Sequence, residues 1–139
     1  TSWSEVADKL IEDYKSNKNV APIIIVGHSL GADAALVLAN WLIDHGVPVR
    51  LVVTLDGVGQ VATMVGGSAE VINYYKPNAF GQEVLSTHGF KGKITNIDLS
   101  DHPEIGHLNI DKNQMIHDDI IAKVLEIMKK KPAVTAAKG

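Results

Sequence analysis

The chain has 139 residues, a formal net charge of -3, 45% hydrophobic and 21% charged residues, and no cysteine. That length fits one domain able to bury roughly two thirds of the surface its unfolded chain exposes, and the composition excludes a disordered or low-complexity chain. The acidic balance excludes a phosphate-neutralising face, so no nucleic acid partner is expected, while the missing cysteines exclude disulfides, thiolate metal sites and thiol nucleophiles.

Residues 2–16 carry Trp3, Val6, Leu10, Ile11 and Tyr14 on one helical stripe, and Ser2 and Glu5 are spaced as a capping box, which predicts a first helix. The run 22–26 (PIIIV) is short, apolar and β-branched, as in a strand buried on both faces of a parallel sheet, and it ends at Gly27. From about Leu30 to Asp44 the chain is rich in Ala and Leu, with Gly46 and Pro48 placed to stop a second helix. Residues 49–55 (VRLVVTL) predict a second buried strand, closed by Asp56, Gly57 and Gly59. Residues 61–69 read as loop or a weak helix, 71–75 (VINYY) as a third strand stopped by Pro77, 78–92 as loop, and 93–99 (KITNIDL) as a fourth strand. A loop rich in Asp and His runs from Ser100 to Asp111, and a last helix spans roughly 113–131. Its apolar face is Ile116, Ile120, Val124, Ile127 and Met128, and Pro132 ends it.

No linker or internal repeat interrupts this order, which predicts a single α/β domain over 1–132 with a mostly parallel sheet flanked by helices, and a frayed tail over 133–139. No apolar run approaches the roughly 20 residues of a membrane span, so a soluble protein is expected. Lack of cysteine suits a reducing cytoplasm, and a disulfide-free exported protein would look the same.

Gly27-His28-Ser29-Leu30-Gly31 is G-x-S-x-G, set directly after a predicted strand and before a predicted helix. In that context the Ser is forced into a strained turn, where Gly27 and Gly31 spare it collisions and its hydroxyl stands at the carboxyl end of the sheet. The Leu30 N–H, at the positive end of the helix, is a natural oxyanion donor. The plain alternative is a Ser that merely caps the second helix.

A serine hydroxyl needs an imidazole to take its proton and a carboxylate to orient that imidazole. His28 is expected to point away from Ser29, His45 lies at the far end of the second helix, His88 sits in an irregular loop and His117 inside the last helix. His102 and His107 remain, on the loop after the last strand. His107 is favoured because Gly106 gives local freedom and Leu108 and Ile110 anchor the loop, with His102 as the alternative base. Asp56 ends the strand expected beside the Ser29 strand and is the favoured acid. Asp98 and Asp101 are its rivals, and Asp33 is better explained by the helix dipole. Asp98, Asp101, His102, Glu104, His107 and Asp111 match no metal-ligand spacing, so no metal is expected.

These residues resemble the α/β-hydrolase superfamily. GHSLGA (27–32) is similar to the lipase and thioesterase form of its nucleophile elbow, and the order Ser29, Asp56, His107 is the family's order of nucleophile, acid and base. The resemblance covers about residues 2–131 and implies a serine esterase, lipase or thioesterase that works through an acyl-enzyme, needs no cofactor and takes a small-molecule ester or acyl thioester. Apolar residues in the loops 57–70 and 76–92 (Val61, Met64, Val65, Phe80, Val84, Leu85, Phe90) suit an apolar acyl group. Family members carry several strands before the elbow strand, one of whose loops supplies a second oxyanion amide, whereas one helix stands there in this chain. The expectation is a portion of a larger hydrolase, with the sheet completed by a missing N-terminal segment or by an oligomer. The rival function is a non-catalytic, hydrolase-like module that pairs with a partner through its open sheet edge.

Overall fold

A computed structural model describes residues 2–16, 21–57, 63–77 and 81–130. The elements are α1 (Trp3–Lys15), β1 (Ile24–His28), α2 (Leu30–Asp44), β2 (Leu51–Leu55), β3 (Thr63–Met64), β4 (Glu70–Tyr75), β5 (Leu85–Ser86), β6 (Lys93–Asp98) and α3 (Gln114–Lys129). The four long strands form one parallel sheet in the order β1-β2-β4-β6, with Val26 opposite Val53, Val53 opposite Ile72 and Ile72 opposite Thr95. The two short strands β3 and β5 pair with each other in a separate ribbon.

Alternation along β2 divides the core in two. Val52 packs with Leu36, Ala39 and Leu42 of α2, Ala7 of α1, Met64 of β3 and Val84 just before β5. Leu51, Val53 and Leu55 face the other way, onto Ile116 and Ile127 of α3 and onto Leu99, Ile105 and Ile110 of the loop before it. A parallel sheet covered on both faces explains why its strands read as unbroken apolar runs.

Several expectations shift by a residue or a face. The first strand runs through Gly27 to His28, and it is an edge strand, leaving Val26 50% exposed. The stripe of α1 is turned so that Ala7 is its buried residue, with Trp3, Leu10 and Ile11 packed on the core, while Val6 and Tyr14 face outward. Met128 is exposed, because α3 directs Ile116, Ile120, Val124 and Ile127 at the sheet. Thr63–Met64 and Leu85–Ser86, expected as loop or weak helix, pair as strands. Pro132 and the tail 133–139 lie outside the described residues, and no helix among those described is long and apolar enough to cross a membrane.

Polar side chains also line the interior of the strands, where the apolar pattern of the sequence gives them no role. Thr54, Asn73 and Asn96 stand opposite one another in register on three strands. Thr54 donates to Asn73 Oδ1 at 2.8 Å, and the Asn73 amide donates to Asn96 Oδ1 at 3.0 Å and to the Gln82 carbonyl at 2.8 Å. Asn96 in turn accepts from the Val84 amide and donates to the Val84 carbonyl. This ladder fastens the helix-free connection around residues 82–84 to the sheet, meeting backbone groups that no strand would otherwise pair.

Candidate active site

Because β1, β2, β4 and β6 run parallel, their carboxyl ends meet at one edge of the sheet, where open α/β folds collect polar residues on the loops. Ser29 lies between β1 and α2 with φ 60° and ψ -124°, angles that a residue with a β-carbon seldom adopts. Gly27 makes the turn possible: a Cβ there would collide with the carbonyl oxygen of Gly31, and would lie 2.6 Å from its carbonyl carbon. Gly31 is different. A Cβ there meets nothing within 4 Å, so the expected steric need for a second glycine is not found. The Ser29 side chain makes no cap to α2; its Oγ lies 2.9 Å from His107 Nε2. The Leu30 amide heads the helix, where a first-turn N–H has no helical acceptor.

His107 Nδ1 lies 2.8 Å from Asp56 Oδ2. A carboxylate only accepts, so Nδ1 carries the proton and Nε2 presents its lone pair to the Ser29 hydroxyl. Asp56 is 0% exposed and itself adopts φ 48°. Its other oxygen, Oδ1, accepts from the Lys76 amide at 3.1 Å. Gly81 closes over that oxygen, and a Cβ on it would collide with Asp56 Oδ1. Ser29, Asp56 and His107 are thus brought together, on the loops after β1, β2 and β6.

The rival residues are placed elsewhere. His102 Nδ1 pairs with Glu104 Oε2 at 3.0 Å, and Asp98 Oδ1 accepts from the amide and hydroxyl of Ser100 at 2.8 and 2.5 Å. Those Ser100 bonds hold the Asp98 carboxyl below its ordinary range. Glu104 is likewise held low, first by its own backbone amide and then by His102. Asp101 and His88 are exposed, and His45 bonds the Trp41 carbonyl on α2.

Sequence reasoning missed four residues near the site. His28 points inward rather than away: its Nε2 donates to the His107 carbonyl at 2.7 Å, and the two rings lie 5.3 Å apart. His117, expected on the surface, bonds the Asp111 carbonyl at 2.6 Å and partly buries its ring. Asp33 is 7% exposed, and its Oδ2 has no partner among the described residues, more burial than a helix-dipole role requires. Lys76 carries no motif, and only the fold sets it beside Asp56.

Two apolar side chains flank the reacting groups: Leu30, 69% exposed, and Leu108, 84% exposed. Of the apolar loop residues, Met64 and Val84 are buried in the α2 core and Phe90 packs against it, Val65 and Leu85 are exposed, and Val61 and Phe80 lie outside the described residues. Among the described residues no cluster of three or more His, Asp or Glu is placed to hold a metal ion.

No curated protein and no solved structure matches the chain. The family model described as lipase (class 3) matches residues 1–124. The parallel sheet with helices on both faces, and that match over most of the sequence, lead to one conclusion: the chain belongs to the class 3 lipases, a lipase family of the α/β-hydrolase superfamily.

Proposed function

We propose that this chain cleaves carboxylic ester or thioester bonds through an acyl-enzyme formed on Ser29. The observation that carries the reading is the unbroken hydrogen-bonded run from Ser29 Oγ through His107 to a fully buried Asp56. In this mechanism Ser29 Oγ attacks the substrate carbonyl as its proton passes to His107 Nε2. The oxyanion that forms accepts from the Leu30 amide at the head of α2. The tetrahedral species collapses, the alcohol or thiol leaves with the proton from His107, and the acyl group stays on Ser29. Water, losing its proton to the same Nε2, then releases the acid. Asp56 keeps Nδ1 protonated and the ring oriented, and stabilises the imidazolium formed on the way.

The test combines a fluorophosphonate probe with turnover of p-nitrophenyl esters and acyl thioesters of graded length. Wild-type protein is labelled and active, whereas Ser29→Ala loses both with an unchanged circular dichroism spectrum. His107→Gln loses orders of magnitude in turnover, and His102→Gln loses little. Full activity in Ser29→Ala ends the nucleophile assignment.

One observation favours a second reading. Strand β1 is an edge with a half-exposed Val26, which suits a hydrolase-like module that pairs with another strand and performs no chemistry. An oligomer in solution that resists the probe would establish that reading in place of the first.

A further inference from the structure

We propose that Lys76 is a positioning residue that locks the acid and the base of the site into one frame. The inference rests on the assignment of Ser29, Asp56 and His107 made above. Lys76 directly follows β4, and β4 lies between β2, which ends at Asp56, and β6, which leads into the loop bearing His107. One residue therefore reaches both neighbours. Its backbone amide donates to Asp56 Oδ1 at 3.1 Å, which leaves Oδ2 for His107. Its ammonium reaches the other way, donating to the carbonyls of Leu99 at 3.2 Å and His102 at 2.8 Å.

Those carbonyls sit at the root of the His107 loop. The loop is a relay of turns: the Leu99 amide bonds the Tyr75 carbonyl, the His102 amide bonds Leu99, and the Ile105 amide bonds His102. Asn109 then closes the turn around Gly106 with a 2.7 Å bond from the Gly106 amide. Each turn takes its position from the one before, so movement at residues 99–102 is carried to the imidazole. The Leu99 and His102 carbonyls each accept a turn amide with one lone pair and the part-buried Lys76 ammonium with the other, so one multidentate donor ties two successive turns together. The charge fits the place as well, since Asp98 and Glu104 both feel the Lys76 ammonium.

The two ends of Lys76 separate experimentally. Its amide survives any substitution except proline, so Lys76→Met removes the ammonium and keeps the bond to Asp56. Displacing a reacting group by an ångström costs on the order of 100-fold, so Lys76→Met is expected to lower kcat about 10- to 100-fold with KM changed less than about 2-fold. Lys76→Arg restores most of the rate, because a guanidinium also donates to two carbonyls, and Lys76→Gln falls between.

A signature independent of turnover is the low-field proton resonance of His107 Nδ1–H, identified by its loss in His107→Gln. It broadens or shifts in Lys76→Met and returns in Lys76→Arg. Thermal midpoints are recorded in parallel, and rates are taken where every variant is folded. A merely structural lysine would lower the midpoint and leave both the rate per folded molecule and the resonance as in wild type; that result overturns the proposal. Equal impairment in Met and Arg variants overturns it too. If Ser29→Ala keeps its turnover, the assignment of the site has failed whatever Lys76 does, and the proposal falls with it. Inactive Ser29→Ala and His107→Gln beside a fully active Lys76→Met would remove Lys76 alone.

Discussion

Ser29 combines a reactive placement with a backbone conformation that glycine would hold at lower cost. Its φ of 60° and ψ of -124° lie where side chains crowd their own backbone, a strain on the order of 1–3 kcal/mol. Ser29→Gly and Ser29→Ala both delete the bond to His107, but only glycine removes the β-carbon. Ser29→Gly is therefore expected to be more stable than Ser29→Ala by about 1 kcal/mol or more, and equal urea midpoints for the two would refute stored strain at this turn. The two elbow glycines part company by the same kind of argument. Gly27→Ala drives a methyl into the Gly31 backbone and is expected to cost about 3 kcal/mol or more. Gly31→Ala places its methyl in open space on the first turn of α2 and is expected to be neutral, or stabilising by up to about 1 kcal/mol. Comparable losses at both positions, measured by chemical denaturation, would show that the turn is packed differently.

Single side chains acquire meaning here from the strands that carry them, and the polar ladder is the clearest case. Asn73 is 2% exposed and makes three hydrogen bonds, to Thr54, Asn96 and the Gln82 carbonyl. Asn73→Val is expected to destabilise by about 3 kcal/mol, because it strands buried partners rather than deleting a contact cleanly. A loss below about 1 kcal/mol in urea unfolding would mean that water replaces the amide. The ladder also marks where sequence patterning stops being informative. The runs 51–55, 71–75 and 93–98 are legible as strands because β-branched and aromatic residues crowd a surface buried on both faces. Asn73 and Asn96 sit inside those runs as apparent blemishes, and only the cross-strand register reveals them as partners. The elbow is legible for a local reason, since its turn is specified within five residues. Lys76 and Gly81 are not, because they touch Asp56 across a sheet neighbour some twenty residues away. The contact of His28 with the His107 carbonyl is not legible either, because it joins residues 79 positions apart and depends on where the loop after β6 returns.

At the scale of the whole molecule, α3 holds the face of the sheet opposite α2, and it does so with polar contacts as well as apolar ones. Lys123 pairs with Glu70 of β4 at 3.2 Å and with Glu126 at 3.1 Å, and these carboxylates raise its ammonium above the usual lysine value. Deeper in the same interface lies Tyr74, a strand residue 2% exposed whose phenol feels the carboxylate of Asp119 on α3. Burial pushes its phenol up to about 12, with the neighbouring Asp119 carboxylate adding to the shift. Tyr75 is raised as well, again chiefly by burial. The consequence for stability has a definite sign. Between about pH 10 and 12 the unfolded chain releases the Tyr74 proton while the folded chain keeps it, so the unfolded state binds fewer protons and stability falls as pH rises. Below pH 10 both states hold the proton, and the contribution is fully present. The free-energy gap between wild type and Tyr74→Phe is therefore expected to be constant from pH 8 to 9.5. It should then shift against wild type by up to about 1.4 kcal/mol per pH unit as the medium becomes more alkaline. Lysine deprotonation acts on both proteins alike and cancels in the difference. Urea unfolding at pH 9, 10, 10.5 and 11 measures the gap, and a gap independent of pH would show that the Tyr74 phenol titrates as freely in the fold as outside it, so that α3 does not seal this face of the sheet.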